Sequence, residues 1–486
     1  MSELAQGALI AAVNPQARSM GRRDARHLLA RTGFDAQLDR IEAYSGLTRG
    51  EAVDRILTGV RRGASTPLPA SASDWTPPRE VRALDPDARK AFVRTLVEHG
   101  IELKGWWLNE MVVTDSPFTE RMTLFWHNHF TSSLKKVRSP MLMARQNALL
   151  RHYALGNFAQ LLHAVSKDPA MLVYLDTASS RRGRPNENFA REVMELFTLG
   201  VGHYTEQDVR EAARAYTGWS IDPASGDYKW RRFAHDDGQK TVLGRSGDFD
   251  GDQVLDILLA QPACAEFVTA KLWREFVSPA PRGDRERRDL ERAAAILRDS
   301  GYEIRPALRA LLLSEAFWAP ENRATLVKSP VDLVVGTLRQ FDVRYSDPLP
   351  FALVLRNLGQ DLLSPPNVRG WPGGDAWINS QTLLARRQFL ARLFRVDESG
   401  GMPEAMQERI EARMAQAKPG MRRMLQAMLS VHFSGREWLA QFGGPDGARA
   451  IDQVLLPIAP ANPPPAGAQG MNRVRDLVAD AAYQLR

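Results

Sequence analysis

Three polar stretches in the middle of the chain combine the residue types that carry out chemistry. The first is Phe125-Trp126-His127-Asn128-His129-Phe130, with two histidines two positions apart. On a helix such a pair points about 200° apart and cannot share an ion. On an extended segment the two share a face and make a good metal bite. Apolar spacing through Met122, Phe125 and Trp126 predicts helix up to this point, and Thr131-Ser132-Ser133 predicts its end. Two readings stand: a metal pair, or one histidine packed and the other facing solvent.

The second stretch runs from Asn186 through Glu187, Asn188, Arg191, Glu192 and Glu195 to Gly200. Asn188, Glu192 and Glu195 fall at i, i+4 and i+7, on one polar stripe beside Phe189, Val193, Leu196 and Phe197, which should be core. Two carboxylates near a core face share a cation, pair with arginines, or split their pKa values for acid–base work. Glu187 with Arg191, and Arg191 with Glu195, are i,i+4 pairs that plain helix salt bridges also explain. The third stretch, His235-Asp236-Asp237-Gly238-Gln239-Lys240, sits on a glycine-containing turn where loop residues join a site or simply face water. Asp248-x-Asp250-Gly251-Asp252 resembles a fragment of a calcium loop but lacks the distal glutamate, so Asp252 is expected to cap the next helix. The single cysteine, Cys264, lies in an apolar stretch and is expected to be buried packing.

The leading expectation is a metal-binding protein or metal-assisted hydrolase. His127 and His129, with Glu192, Glu195 and His235, would hold Zn, Mn or Fe between packed helices, and an open position would activate water. Glu187 and Glu192 are the expected acid–base groups, Arg191 and Lys240 the cations for an anionic substrate, and Asn188 and Asp236 further substrate contacts. A non-catalytic helical scaffold, with the polar cluster as a hydrogen-bond network, is the alternative. A third reading is a carbohydrate or polymer binder using Trp219, Trp230, Trp371 and Trp377. Phosphate-binding glycine loops, His-Glu-x-x-His pairs and Gly-x-Ser-x-Gly elbows are missing.

The elements that must position these residues are predicted to be mainly α, a multi-helix globular bundle. Ala, Leu and Arg dominate, and β-branched runs are scarce. Thr48-x-x-Glu51 is a capping box, Asp85-Pro86 a cap with proline at the first helical position, and Thr205 to Asp208 another helix start. Around 219–244 the alternation of Tyr228, Trp230 and Arg232 predicts a small β-hairpin or irregular excursion. Prolines and glycines make 364–374 a rigid loop. The predicted organisation is an N-terminal helical segment over 1–63, a Pro/Ser-rich linker or surface strap over 64–84 and a main helical domain over 85–395. A C-terminal helical segment over 396–456 comes next, then a Pro/Ala linker and terminal helix over 457–486. Lys and Arg number 64 against 57 Asp and Glu, a net +7 too small to argue for nucleic acid. No apolar run is long enough to span a membrane. The apolar stretch 8–13 is too short for a signal peptide, so the expected compartment is cytoplasmic, or periplasmic by co-export with a partner.

Several blocks together resemble one family. They are Arg26-His27-Leu28-Leu29-x-Arg31-Thr32-Gly33-Phe34, Trp126-His127-Asn128-His129-Phe130, the stretch from Asn186 to Gly200, Tyr204-Thr205-Glu206-x-Asp208-Val209, Thr217-Gly218-Trp219 and His235-Asp236-x-Gly238-x-Lys240. From about residue 22 to about 395 the chain resembles the bacterial domain-of-unknown-function 1800 family. The resemblance implies a largely helical fold and, as a partner, a protein similar to the sulfatase and alkaline phosphatase fold encoded nearby. It implies export for many members and supplies no reaction.

Overall fold

A computed structural model describes residues 17–395, 404–417, 419–443 and 447–486. The apolar stretch 8–13 lies outside them. The chain is mainly α. Among the described residues the strands are four three-residue pieces, paired as two antiparallel hairpins. No helix among the described residues is long and apolar enough to cross a membrane.

Helices begin where side chains satisfy the first free N–H groups. Thr48 and Glu51 form the expected capping box on Arg49–Thr58, and Thr205 with Asp208 forms one on Glu206–Ala215. Asp85 caps the 28-residue helix Pro86–Val113 through the N–H groups of Asp87 and Ala88. The helix Gly251–Leu259 is capped by Asp250 with Gln253, not by Asp252. Asp252 instead accepts from His163 and Lys167, because a carboxylate one residue inside the helix points outward to neighbouring donors.

The excursion at 219–244 is a pair of hairpins. β1 (Trp219–Ile221) pairs with β2 (Tyr228–Trp230), Trp219 opposite Trp230. β3 (Lys240–Val242) pairs with β4 (Arg245–Gly247), Lys240 opposite Gly247. Arg232 leaves the alternation and starts a 3-10 turn, Arg232–Ala234. The strap at 64–78 is irregular with one 3-10 turn and is tied down at both ends. The N–H groups of Ser65 and Thr66 donate to the buried Glu110 carboxylate at 2.7 and 2.8 Å, and Trp75 Nε1 donates to Pro223 of the first hairpin at 3.2 Å.

Trp107, Trp126, Trp219, Trp273, Phe130, Phe158, Phe189 and Phe197 are fully buried. Each such ring removes roughly 150–250 Å² from water, about 4–6 kcal/mol at ~25 cal/mol/Å² against an extended chain. The N- and C-terminal parts of the described chain meet. Arg26, on the helix Arg22–Thr32, donates to the carbonyls of Val454 and Leu455 at 3.1 and 3.0 Å.

Candidate functional site

The helix Pro117–His129 runs through both histidines of the first block, so their rings point to different surroundings. His127 is buried between the Trp107 and Trp371 rings, 5.5 and 5.6 Å between centroids. Burial pulls its pKa down to about 3, and its Nε2 has no hydrogen-bond partner. His129 lies 3.1 Å from the Phe197 carbonyl through Nε2 and 3.1 Å from Lys271 Nζ through Nδ1. The carbonyl requires a proton on Nε2, which leaves Nδ1 as the acceptor for Lys271. Asn128 accepts the Trp371 N–H at 2.7 Å. Gly370, at φ +82°, passes so close that a Cβ there would sit 2.2 Å from Asn128 Oδ1. The whole block therefore acts as a frame, gripping the 364–374 loop with Asn128 and the second polar block with His129.

What His129 grips is a turn of π-helix. The α-helix Glu187–Glu192, capped by Asn186, widens into a π-turn at Val193–Thr198. There the Leu199 N–H reaches back five residues to Met194. Widening leaves carbonyls without their usual partners. Lys271 donates to Leu196 at 2.8 Å, His129 to Phe197, and the Thr198 hydroxyl to Val193 at 2.5 Å. Burial pulls the Lys271 ammonium down to about 7. π-turns are rare and concentrate at functional sites.

Two carboxylates mark the widening, Glu192 just before it and Glu195 within it. Glu195 is tied at both oxygens, to Arg369 Nη2 and to the Tyr204 hydroxyl, each at 2.9 Å. Glu192 is part-buried and has no hydrogen bond or ion pair within the described residues. Burial raises its pKa, and the Glu195 charge raises it further. The remaining residues of the stripe are engaged in the plain manner. Arg191 pairs with Glu206 at 2.6 Å and with Glu187 at 3.3 Å, and Asn188 reaches Asp176 at 3.4 Å.

The third block builds a platform. His235 Nδ1 donates to the Thr217 carbonyl at 2.9 Å, and its ring lies 4.9 Å from Trp230. Arg214 grips both oxygens of Asp236 at 2.9 and 3.1 Å, which holds that carboxyl below its ordinary pKa. Lys240, buried, donates to the Gly238 carbonyl at 2.9 Å and pairs with Asp248 at 3.2 Å. Gly218, at φ +89°, lets the Arg231 carbonyl approach to 2.8 Å of where a Cβ would lie. Arg182 closes the arrangement by donating its N–H to Ala234 and its Nε to the His235 carbonyl. On the outer side, Phe233 is 85 % exposed and Trp230 39 %. With Arg182, Lys229, Arg231 and Arg232 they line an open concavity.

The structure does not gather the five expected metal ligands. His127 is enclosed by indole rings, both nitrogens of His129 are engaged, and His235 belongs to the platform. Among the described residues no three His, Cys, Asp or Glu side chains are placed to hold a metal ion together. Of the four tryptophans considered for polymer binding, Trp219, Trp371 and Trp377 are buried and Trp230 is at the surface. Cys264 is buried, as expected. Reasoning from sequence assigned no role to Arg369, Tyr204, Lys271, Arg214 or Phe233. Phe233 alone had a local signal, an aromatic ending the run Lys229-Trp230-Arg231-Arg232.

A family model described as "Protein of unknown function (DUF1800)" matches residues 27–447. No curated protein and no solved structure matches the chain.

Proposed function

The chain belongs to the DUF1800 family, and from that premise, which brings no reaction with it, we propose that it is a binding protein for an anionic polysaccharide, engaged at the Trp230–Phe233 face. The observation that carries this reading is Phe233, a large apolar ring 85 % exposed among Arg182, Arg231 and Arg232. A lone exposed ring needs no explanation, but one set beside a second aromatic and several cations offers two complementary contacts. The rings stack on sugar faces, and the planar guanidiniums meet carboxylate or sulfate groups in pairs. Arg232 has no ion pair among the described residues. The charges of Arg182 and Lys229 are met by surface pairs with Asp237 and Asp222, worth about 0–1 kcal/mol and readily exchanged, while Arg182 Nε stays on the His235 carbonyl.

A polysaccharide fits this face better than a nucleic acid. A backbone with a phosphate at every step calls for a continuous positive track. Here Asp222 and Asp237 interrupt the arginines, and the net charge of the chain is only +7. The test is affinity electrophoresis in gels containing a sulfated polysaccharide, neutral dextran or single-stranded DNA. Retardation is expected in the sulfated gel, at least ~10-fold weaker for Phe233→Ala and Arg232→Ser with unchanged circular dichroism. Equal retardation of both variants, or stronger retardation by DNA, would refute the reading.

One observation favours a second reading, acid–base catalysis centred on Glu192. A free carboxyl with a raised pKa beside a fixed carboxylate is the pairing that assigns proton-transfer roles. Hydrolysis of any substrate class that is lost in Glu192→Gln, with binding at the Phe233 face retained, would support it.

A further inference from the structure

Residues near both ends of the described chain, together with Lys328 and the helix Pro330–Gln340, enclose a cavity of about 20 Å³, room for one water or one small ion. Its wall carries Arg26, Lys328 and Arg486 together with Asp332, Asp35 and Tyr483. Arg486 is 7 % exposed and uses only Nη2 fully, donating to Glu275 at 2.8 Å. Its Nε stands 3.5 Å from Asp332, and neither Nε nor Nη1 makes a hydrogen bond. The Lys328 ammonium lies 3.8 Å from the centre of the Tyr483 ring.

Among the side chains, positive charge exceeds negative charge around this space. Asp332 is shared between Arg121 and Arg486, and Glu275 serves the same two arginines. Arg26, Arg31 and Arg386 are met by carbonyl, hydroxyl or amide oxygens, without a carboxylate. Asp35, the other acid on the wall, pairs with Arg339 at 2.8 Å, and its second oxygen is unpartnered. Buried cations in excess are costly unless an anion or enough oxygens face them.

We infer that this cavity is a binding site for a small monovalent anion of chloride size, held by Arg486 and Lys328. Such an ion completes the hydrogen bonding of Arg486 and offsets the surplus charge that joins the two ends of the described chain. Burial and the neighbouring Arg26 and Arg386 pull the Lys328 pKa down to about 7, against the pull of Asp332. Arg486, Asp35 and Tyr483 are the other ionisable groups facing it across the cavity. Folded protein therefore resists protonating Lys328 as the pH falls towards 7, and a bound anion relieves that resistance. Anion stabilisation must then be larger at pH 6 than at pH 9.

The competing occupant is a water bridging Arg486 to the free oxygen of Asp35, and the experiment separates the two. Melting temperatures are measured at constant ionic strength in sodium chloride and in sodium gluconate, at pH 6 and pH 9, for the wild type and Lys328→Met. That variant removes a half-buried ammonium while keeping most of its volume filled and is expected to fold. A chloride advantage of about 2 °C at pH 6, smaller at pH 9 and absent in Lys328→Met, is the expected result. Crystals grown in bromide should show an anomalous peak in the cavity. An advantage equal at both pH values or retained in Lys328→Met, or a cavity without bromide, overturns the proposal.

Discussion

The π-turn at Val193–Thr198 and the platform around His235 are built from the same materials and finished differently. Each contains a histidine donating to a backbone carbonyl and a lysine capping another. On the platform His235, Asp236 and Lys240 are satisfied inward, and the outward face is aromatic and cationic. At the π-turn the frame is equally complete, but one carboxyl, Glu192, is left over. The difference teaches that fully bonded polar motif residues hold shape, and that function is to be sought in the groups they present or leave unbonded.

Three substitutions sharpen or break this comparison. The largest effect is expected from His129→Ala, which empties a packed site among Phe130, Phe158 and Phe197 and strips both the Phe197 carbonyl and Lys271 of a partner. A loss of about 3 kcal/mol in urea unfolding is expected, and a loss below ~1 kcal/mol would mean that the frame is not a frame. Next comes Asp236→Ala, which takes from Arg214 one of its two carboxylate partners, Glu211 remaining, and leaves the Gly238 N–H free, at about 1–2 kcal/mol. Amide exchange should then quicken in 230–242 and stay unchanged in 193–200; quickening in both would show that the regions are one unit.

The smallest effect, and of opposite sign, belongs to Glu192→Gln. A carboxyl whose pKa is raised on folding contributes stability below its unfolded pKa, near 4.5, and loses it as the pH rises through the folded value. The variant should therefore match the wild type near pH 4 and exceed it at pH 7 by less than ~1 kcal/mol. Destabilisation at pH 7 would show that Glu192 has a bonding role after all.

Much of the fold was legible because its signals are local. The capping box at Thr48, the helix start at Thr205 and the alternation at Tyr228 and Trp230 involve residues within four positions, and each formed where it was expected. The candidate site was legible in its residue types and not in its geometry. Helical spacing put Glu192 and Glu195 on one stripe but could not announce a π-turn, which has no local signature of its own. The contacts that give the motif residues their roles come from far away in the chain. Lys271 reaches His129 across 142 residues, and Arg369 reaches Glu195 across 174. Asp252 shows the limit even locally, since two acids two positions apart compete for one cap and the outer one, Asp250, took it.

The widened turn at Val193–Thr198 accommodates one residue more than an α-turn needs, so it behaves as a single-residue insertion carried within a helix. Excising Val193 or Met194 would let the hydrogen-bond ladder heal into plain α-helix. It would also rotate everything on the N-terminal side by about 100° relative to the C-terminal side. Glu195 would keep Arg369 and Tyr204, while Glu192 and Asn188 would turn to another face. A descendant of this chain one residue shorter would inherit the helix without the arrangement of carboxylates that the helix now displays.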